Sequence, residues 1–205
     1  RIGDGFFISK RYYDAIDFYA EAEEMKKLDV DYALFQQALC LGILKKQDER
    51  IDKLNKLVEV YPNSSYADAA RYQLGRAYTS NGQNDEAMAA YNALLIENPN
   101  SVFVKKARIN KGLLYFNMEK NDAALEVFNG IIEDYPNLND TKEALAAVKA
   151  IYLERGDIDA YTNLVESLSF LDVSKSELDS TIFESASLKY FDGNCEAAVS
   201  DLNKY

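Results

Sequence analysis

The chain has no histidine and no tryptophan, and only three prolines, two cysteines and nine glycines among 205 residues. The missing histidine removes Ser-His and Cys-His nucleophile pairs, histidine general bases and His-containing zinc sites. Scarce glycine and proline, beside abundant Ala, Leu, Glu, Lys and Asn, argue for an all-helical chain. No stretch approaches the roughly 20 consecutive apolar residues that a membrane helix needs. Cationic excess is also lacking: 23 Lys+Arg stand against 34 Asp+Glu, a net charge of −11, so nucleic acid and anionic membrane are poor default partners. The imbalance is local. Residues 1–119 hold 16 Lys+Arg and 17 Asp+Glu, and residues 120–205 hold 7 and 17. The second half is therefore either a solvated acidic surface or one that attracts a basic partner.

Hydrophobic residues make up 48% of the chain, enough for a packed structure rather than a disordered one. Their order follows the prolines. Pro62, Pro99 and Pro136 stand 37 residues apart, in Tyr61-Pro62-Asn63-Ser64, Asn98-Pro99-Asn100-Ser101 and Tyr135-Pro136-Asn137-Leu138. Proline ends helices because it lacks an N–H and clashes with the preceding turn, and breakers at one such period mark the joints of a solenoid. Other residues keep the step: Ala70, Ala107 and Ala144; Gly75 and Gly112; Tyr78, Tyr115 and Tyr152; Asp85, Asp122 and Asp159; Ala87 and Ala124; Tyr91 and Phe128; Leu94 and Ile131. Small residues let two helices approach and aromatics fill the space between them, so each unit is read as a pair of antiparallel amphipathic helices.

Gly82 and Gly156 end first helices, and Asn121-Asp122 serves the same turn without glycine. Asn63-Ser64, Asn100-Ser101 and Asn137-Leu138-Asn139-Asp140 stand where the next first helix needs an N-cap. Stepping outward predicts a partial repeat at 1–25, with its helix over 9–25 and a turn at Gly3-Asp4-Gly5. Repeats follow at 26–62, 63–99, 100–136 and 137–173, then a variant at 174–205 whose helix begins near Ser174 or Ser176. Proline is missing from the joints near Met25 and Leu171, where the array is expected to be least regular. Arg1 is not an initiator methionine, and both ends fall inside repeats, which predicts a longer parent protein.

The order of small residue, aromatic, Ala, aromatic and proline resembles the tetratricopeptide repeat, whose unit is about 34 residues. Gly75, Tyr78, Ala87, Tyr91 and Pro99 carry it, and so do Gly112, Tyr115, Ala124, Phe128 and Pro136. The longer Tyr-Pro-Asn-Ser junction resembles repeats of bacterial cell-envelope proteins, of the tol-pal-associated and outer-membrane assembly lipoprotein type. The resemblance implies a right-handed α-solenoid of about eleven helices over residues 1–205. It also implies a periplasmic or outer-membrane-associated setting, with the cytoplasm as the alternative.

In that family helix A lines the concave groove. The family's groove positions fall on Phe35 and Leu39; on Tyr72, Arg76 and Thr79; and on Lys106, Ile109, Leu113, Phe116 and Asn117. Arg71, Arg76, Lys105, Lys106, Arg108 and Lys111 make helix A of the middle units cationic, which suits a peptide with acidic groups. The alternative places Tyr72 and Ile109 in the inter-repeat core and the lysines on a solvated face. The family's carboxylate clamp is not assembled, because its positions hold Tyr72 or Ile109 and Arg76 or Leu113. Cys40, in Ala38-Leu39-Cys40-Leu41, reads as a packed hydrophobe. Cys195 reads as a cap-turn residue, with a reactive thiolate as the alternative. Asp29/Asp31 and Asp157/Asp159 fall at helix starts, where acids complement the dipole. No catalytic residue, metal or cofactor is expected. The reading is a non-catalytic scaffold binding a partner protein or peptide, with a self-associating segment of a longer rod as the alternative.

Overall fold

The computed structural model describes every residue except 1, 26–28, 136–138, 169–172 and 205, and only the backbone of 139 and 140. All regular structure among the described residues is helical. Six helices run α1 (Ile2–Ile8), α2 (Tyr12–Met25), α3 (Val30–Ile43), α4 (Gln47–Val60), α5 (Ala67–Ser80) and α6 (Asn84–Glu97). Six more run α7 (Val104–Asn117), α8 (Asn121–Asp134), α9 (Asn139–Glu154), α10 (Ile158–Ser167), α11 (Lys175–Phe191) and α12 (Cys195–Leu202). Two compact units divide within α7, one spanning residues 1–110 and the other 111–205. In the first unit each helix from α1 to α6 packs on the next; in the second, α8 to α12 do the same.

The 37-residue step is written into the backbone. Lys45, Gly82, Glu119, Gly156 and Gly193 each adopt positive φ, between 58° and 81°. Each ends the first helix of a pair with the same bonds: Gln83 N donates to Tyr78 O at 2.9 Å and Gly82 N to Thr79 O at 3.2 Å, the Schellman pattern. Lys46 to Leu41, Lys120 to Tyr115, Asp157 to Tyr152 and Asn194 to Lys189 repeat it. Glycine occupies this left-handed position at three of the five turns, where any Cβ would be strained. Lys45 and Glu119 accept that strain.

Packing within each pair follows the small–aromatic order. A Cβ added at Gly75 would stand 2.6 Å from Cδ1 and Cζ of the Tyr91 ring, and one at Gly112 would stand 2.6 Å from Cε1 of Phe128. Only a residue without a side chain lets those rings lie against the helix backbone. Ala38 and Leu54, at the same positions of the first full repeat, are both buried; a smaller second residue there admits a methyl group on the first.

Several expectations need correction. Gly3-Asp4-Gly5 is not a turn but lies within α1, where Gly3 packs against the ring of Tyr19 as Gly75 does against Tyr91. This extra helix makes the count twelve among the described residues, not about eleven, and α2 starts at Tyr12. Ser64 and Ser101 do not cap helices, since α5 begins at Ala67 and α7 at Val104. Ser64 Oγ instead accepts from Tyr66 N at 3.0 Å and donates to Asp31 Oδ2 at 2.6 Å. Ser101 repeats this, accepting from Phe103 N at 3.1 Å and donating to Asp68 Oδ2 at 2.6 Å. The serine thus ties each junction to the start of the preceding helix A. The variant start is as expected: Ser174 caps α11, accepting from Glu177 N. Pro136-Asn137-Leu138, the segment after Met25 and most of the joint around Leu171 lie outside the described residues.

Candidate partner-binding surface

In the first unit the first helices of the pairs are α1, α3, α5 and residues 104–110 of α7, and the groove candidates fall on the last three. The aromatic groove candidates on them are held by the junctions. Phe35 stacks on Tyr66 with ring centroids 5.4 Å apart, and Tyr72 stacks on Phe103 at 5.2 Å. Both pairs keep the 37-residue step. Tyr72 is 9% exposed and Ile109 3%, so both take the inter-repeat core position that was the alternative reading. The Tyr72 hydroxyl accepts from Asn110 Nδ2 at 3.3 Å. Phe35, Leu39 and Thr79 are half-buried, and Arg76 and Lys106 are exposed. In the second unit Leu113 and Phe116 are half-buried and Asn117 is exposed.

The cations divide in the same way. Arg71 is buried and pairs with Glu97 and Asn98, so it is structural. Arg76 lies 5.9 Å above the Tyr72 ring. Among the described residues neither Arg76 nor Lys106 has an ion-pair partner. These two are the charges left to a ligand on the helix A face of this unit.

Sequence reasoning passed over Arg50. It belongs to α4, the second helix of its pair, and is 9% exposed. Its Nη2 donates to Gln73 Oε1 of α5 at 2.6 Å, and its Nη1 to Gln47 Oε1 at 3.3 Å. Its Nε is buried with no hydrogen-bond partner. Burial, and then the like charge of Arg76, lower its pKa. The signal was available in the register: Ala87 and Ala124 occupy the corresponding positions one and two steps on.

A separate cleft of about 620 Å³ opens beside α1, α2 and the start of α3, walled by Phe18, Tyr19, Tyr32 and Tyr66 with Asp4 and Asp31. Both tyrosine hydroxyls, of Tyr19 and Tyr32, donate to Asp4 Oδ1 at 2.7 Å. Burial and that carboxylate push the Tyr32 hydroxyl up to about 12. The acid is thus already engaged by the protein's own hydroxyls.

Cys40 is buried, and burial pushes its thiol up to about 11, away from the thiolate a nucleophile needs. Cys195 is exposed as the first residue of α12, whose cap is Asn194, accepting from Ala197 N. Among the described residues no group of three or more Cys, Asp or Glu side chains is placed to hold a metal ion. No helix among them is long and apolar enough to cross a membrane.

Helix pairs in a fixed register, with small–aromatic packing inside each pair, define a helical repeat scaffold. The tetratricopeptide repeat family model matches residues 32–64, 69–101 and 106–138, and the chain is a tetratricopeptide repeat protein. No curated protein matches the chain. Its fold is similar to that of a tetratricopeptide repeat protein from Parabacteroides merdae, at 19% identity and a TM-score of 0.70 over 98% of this chain and 75% of that one. It is similar to MamA, at 18% identity and a TM-score of 0.67 over 100% of this chain and 96% of that one. YrrB, described as a TPR protein with an unusual peptide-binding site, is 18% identical with a TM-score of 0.59, over 91% of this chain and 89% of that one. Likeness at these identities concerns the fold. Proteins built from this repeat generally mediate protein–protein interactions and are typically non-catalytic.

Proposed function

We propose that the chain is a non-catalytic scaffold whose helix A faces receive a partner polypeptide carrying acidic groups. The observation behind this reading is the pair of exposed cations Arg76 and Lys106, both without an ion-pair partner among the described residues. They stand on first helices, as do half-buried Phe35, Leu39 and Thr79. An apolar floor with unpaired charge at its edge suits an extended or helical segment. In the second unit Leu113, Phe116 and Asn117 are the corresponding candidates. The repeat boundaries 26–62, 63–99, 100–136 and 137–173 form part of this proposal. So does the bacterial envelope setting, which rests on the resemblance of the Tyr-Pro-Asn-Ser junction alone.

The test is a photo-crosslinking amino acid placed at Thr79 or Phe116, and separately at Glu86 or Glu126 on the second helices. The reading expects one partner crosslinked from both helix A positions and not from the others. Crosslinks of equal yield from both sets would refute it.

A second reading, self-association, has its own observation. Leu188 holds the position of Cys40, Ala77, Leu114 and Ile151, all at most 1% exposed, yet it is 46% exposed itself. Phe191 three residues on and Leu202 of α12 are exposed as well. A second copy seated there would make Leu188→Asp lower the sedimentation coefficient at high concentration. An unchanged coefficient would remove this reading.

A further inference from the structure

The first full repeat exchanges large and small residues across its helix pair. In the next two repeats helix A carries Thr79 and Phe116 where helix B carries Ala87 and Ala124; in the first, the same positions hold Gly42 and Arg50. A Cβ added at Gly42 would stand 3.2 Å from both Cζ and Nε of Arg50. The guanidinium therefore fills the space that a helix A side chain would take. It reaches from α4 to lie between two first helices, with Gly42 of α3 on one side and Gln73 of α5 on the other.

That head group has no counter-charge. Its contacts are the two neutral amide oxygens of Gln47 and Gln73, and its Nε has no acceptor. Among the described residues no carboxylate pairs with it. A buried charge without a partner is costly, and such groups are ordinarily paired. Arg76 adds a second positive charge nearby, one turn beyond Gln73 on the same helix. Two guanidiniums, one of them stripped of water and held by exchangeable amides, form half of an ion pair.

We propose that Arg50 and Arg76 anchor an aspartate or glutamate carboxylate of the partner polypeptide on the helix A face of the first unit. This rests on the scaffold reading above and gives that site its chemistry. A planar carboxylate replaces the planar amide oxygens and accepts from two N–H groups at once. Gly42 lies against the guanidinium, so a ligand must reach it edge-on, as a carboxylate does.

The experiment uses the whole chain with its arginine Nε–Hε signals resolved by NMR, titrated with a hexaglutamate peptide. Hexaglutamine and inorganic phosphate at matched ionic strength are the comparators. Hexaglutamate is expected to move the Arg50 signal, while hexaglutamine and phosphate leave it in place. Arg76→Gln, and separately Gly42→Thr with Arg50→Ala, should each weaken hexaglutamate at least about tenfold. The double variant reproduces the Thr79/Ala87 arrangement, so it retains a packing this fold already uses, and circular dichroism checks its helicity. A hexaglutamate affinity unchanged in both variants, or an equal response to phosphate, overturns the anchor. The two proposals fail separately. Crosslinking that persists from Thr79 while both variants bind normally rejects the anchor and keeps the groove. Loss of selective crosslinking with the anchor response intact rejects the groove.

Discussion

Replacing Gly75 by alanine tests whether each helix pair is locked by a small residue under a ring. The new Cβ would lie 2.6 Å from Cδ1 and Cζ of Tyr91, whereas carbons in good contact sit about 3.5–4.0 Å apart. The ring must therefore retreat by about an ångström. Tyr91 is only 1% exposed and Leu94 beside it in the sequence is fully buried, so retreat strains the whole pair. Overpacking of this kind costs about 3 kcal/mol at its upper end, offset by about 1 kcal/mol from the better helix propensity of alanine. The net expectation for Gly75→Ala is a loss of about 2 kcal/mol. Tyr91→Leu alone leaves a void and should cost a similar amount, about 2 kcal/mol. Together they restore the Ala38/Leu54 combination that the preceding repeat buries, so the double variant should lose well under the roughly 4 kcal/mol sum. Urea unfolding followed by helical circular dichroism measures all three. Effects that add to within about 0.5 kcal/mol would refute the lock.

The left-handed turns give a second expectation. Lys45→Gly and Glu119→Gly should each stabilise the chain by about 1 kcal/mol and raise its Tm, while Gly82→Ala should lose about that much; thermal melts of the three variants decide. The third concerns pH. Glu23 accepts from Gln37, Lys53 and Lys56 at 2.6–2.8 Å, joining α2 to α3 and α4. Burial alone would raise its pKa, but these donors outweigh it and hold the carboxyl near 2, against an ordinary 4.5. A depressed folded pKa means the stabilisation is complete above about pH 4.5 and is lost as pH falls towards 2. The shift corresponds to about 3 kcal/mol, reduced to about 2 by solvent around the exposed Lys56. Glu23→Gln should therefore be less stable by about that amount at pH 7 and equal to the parent near pH 2, as read by urea midpoints across that range.

Much of the fold was legible because repetition multiplies weak signals. One proline says only that a helix ends; three in step locate every Gly75-type and Tyr91-type position, and the backbone then repeats its left-handed turn at the same interval. Gly3-Asp4-Gly5 was misread because two glycines in three residues suggest a turn locally. What makes Gly3 helical is the Tyr19 ring packed against it, a tertiary contact. Ser64 and Ser101 were misread for a related reason: their acceptors, Asp31 and Asp68, lie a repeat away. The groove candidates were split by exposure. Tyr72 and Ile109 proved to be core, because Phe103 stacks on one and Ile109 is 3% exposed. Arg50 is not legible in what the helix B positions share, because its meaning lies in how it departs from Ala87 and Ala124.

The most direct test of the scaffold account is hydrogen–deuterium exchange of the whole chain with and without the partner recovered by crosslinking. The account predicts that bound partner slows exchange in α3 and α5, and the anchor adds that Arg76→Gln lessens the slowing. Protection confined to α4 and α6 would contradict it, whereas protection of α3 and α5 that survives Arg76→Gln unchanged removes the carboxylate anchor alone.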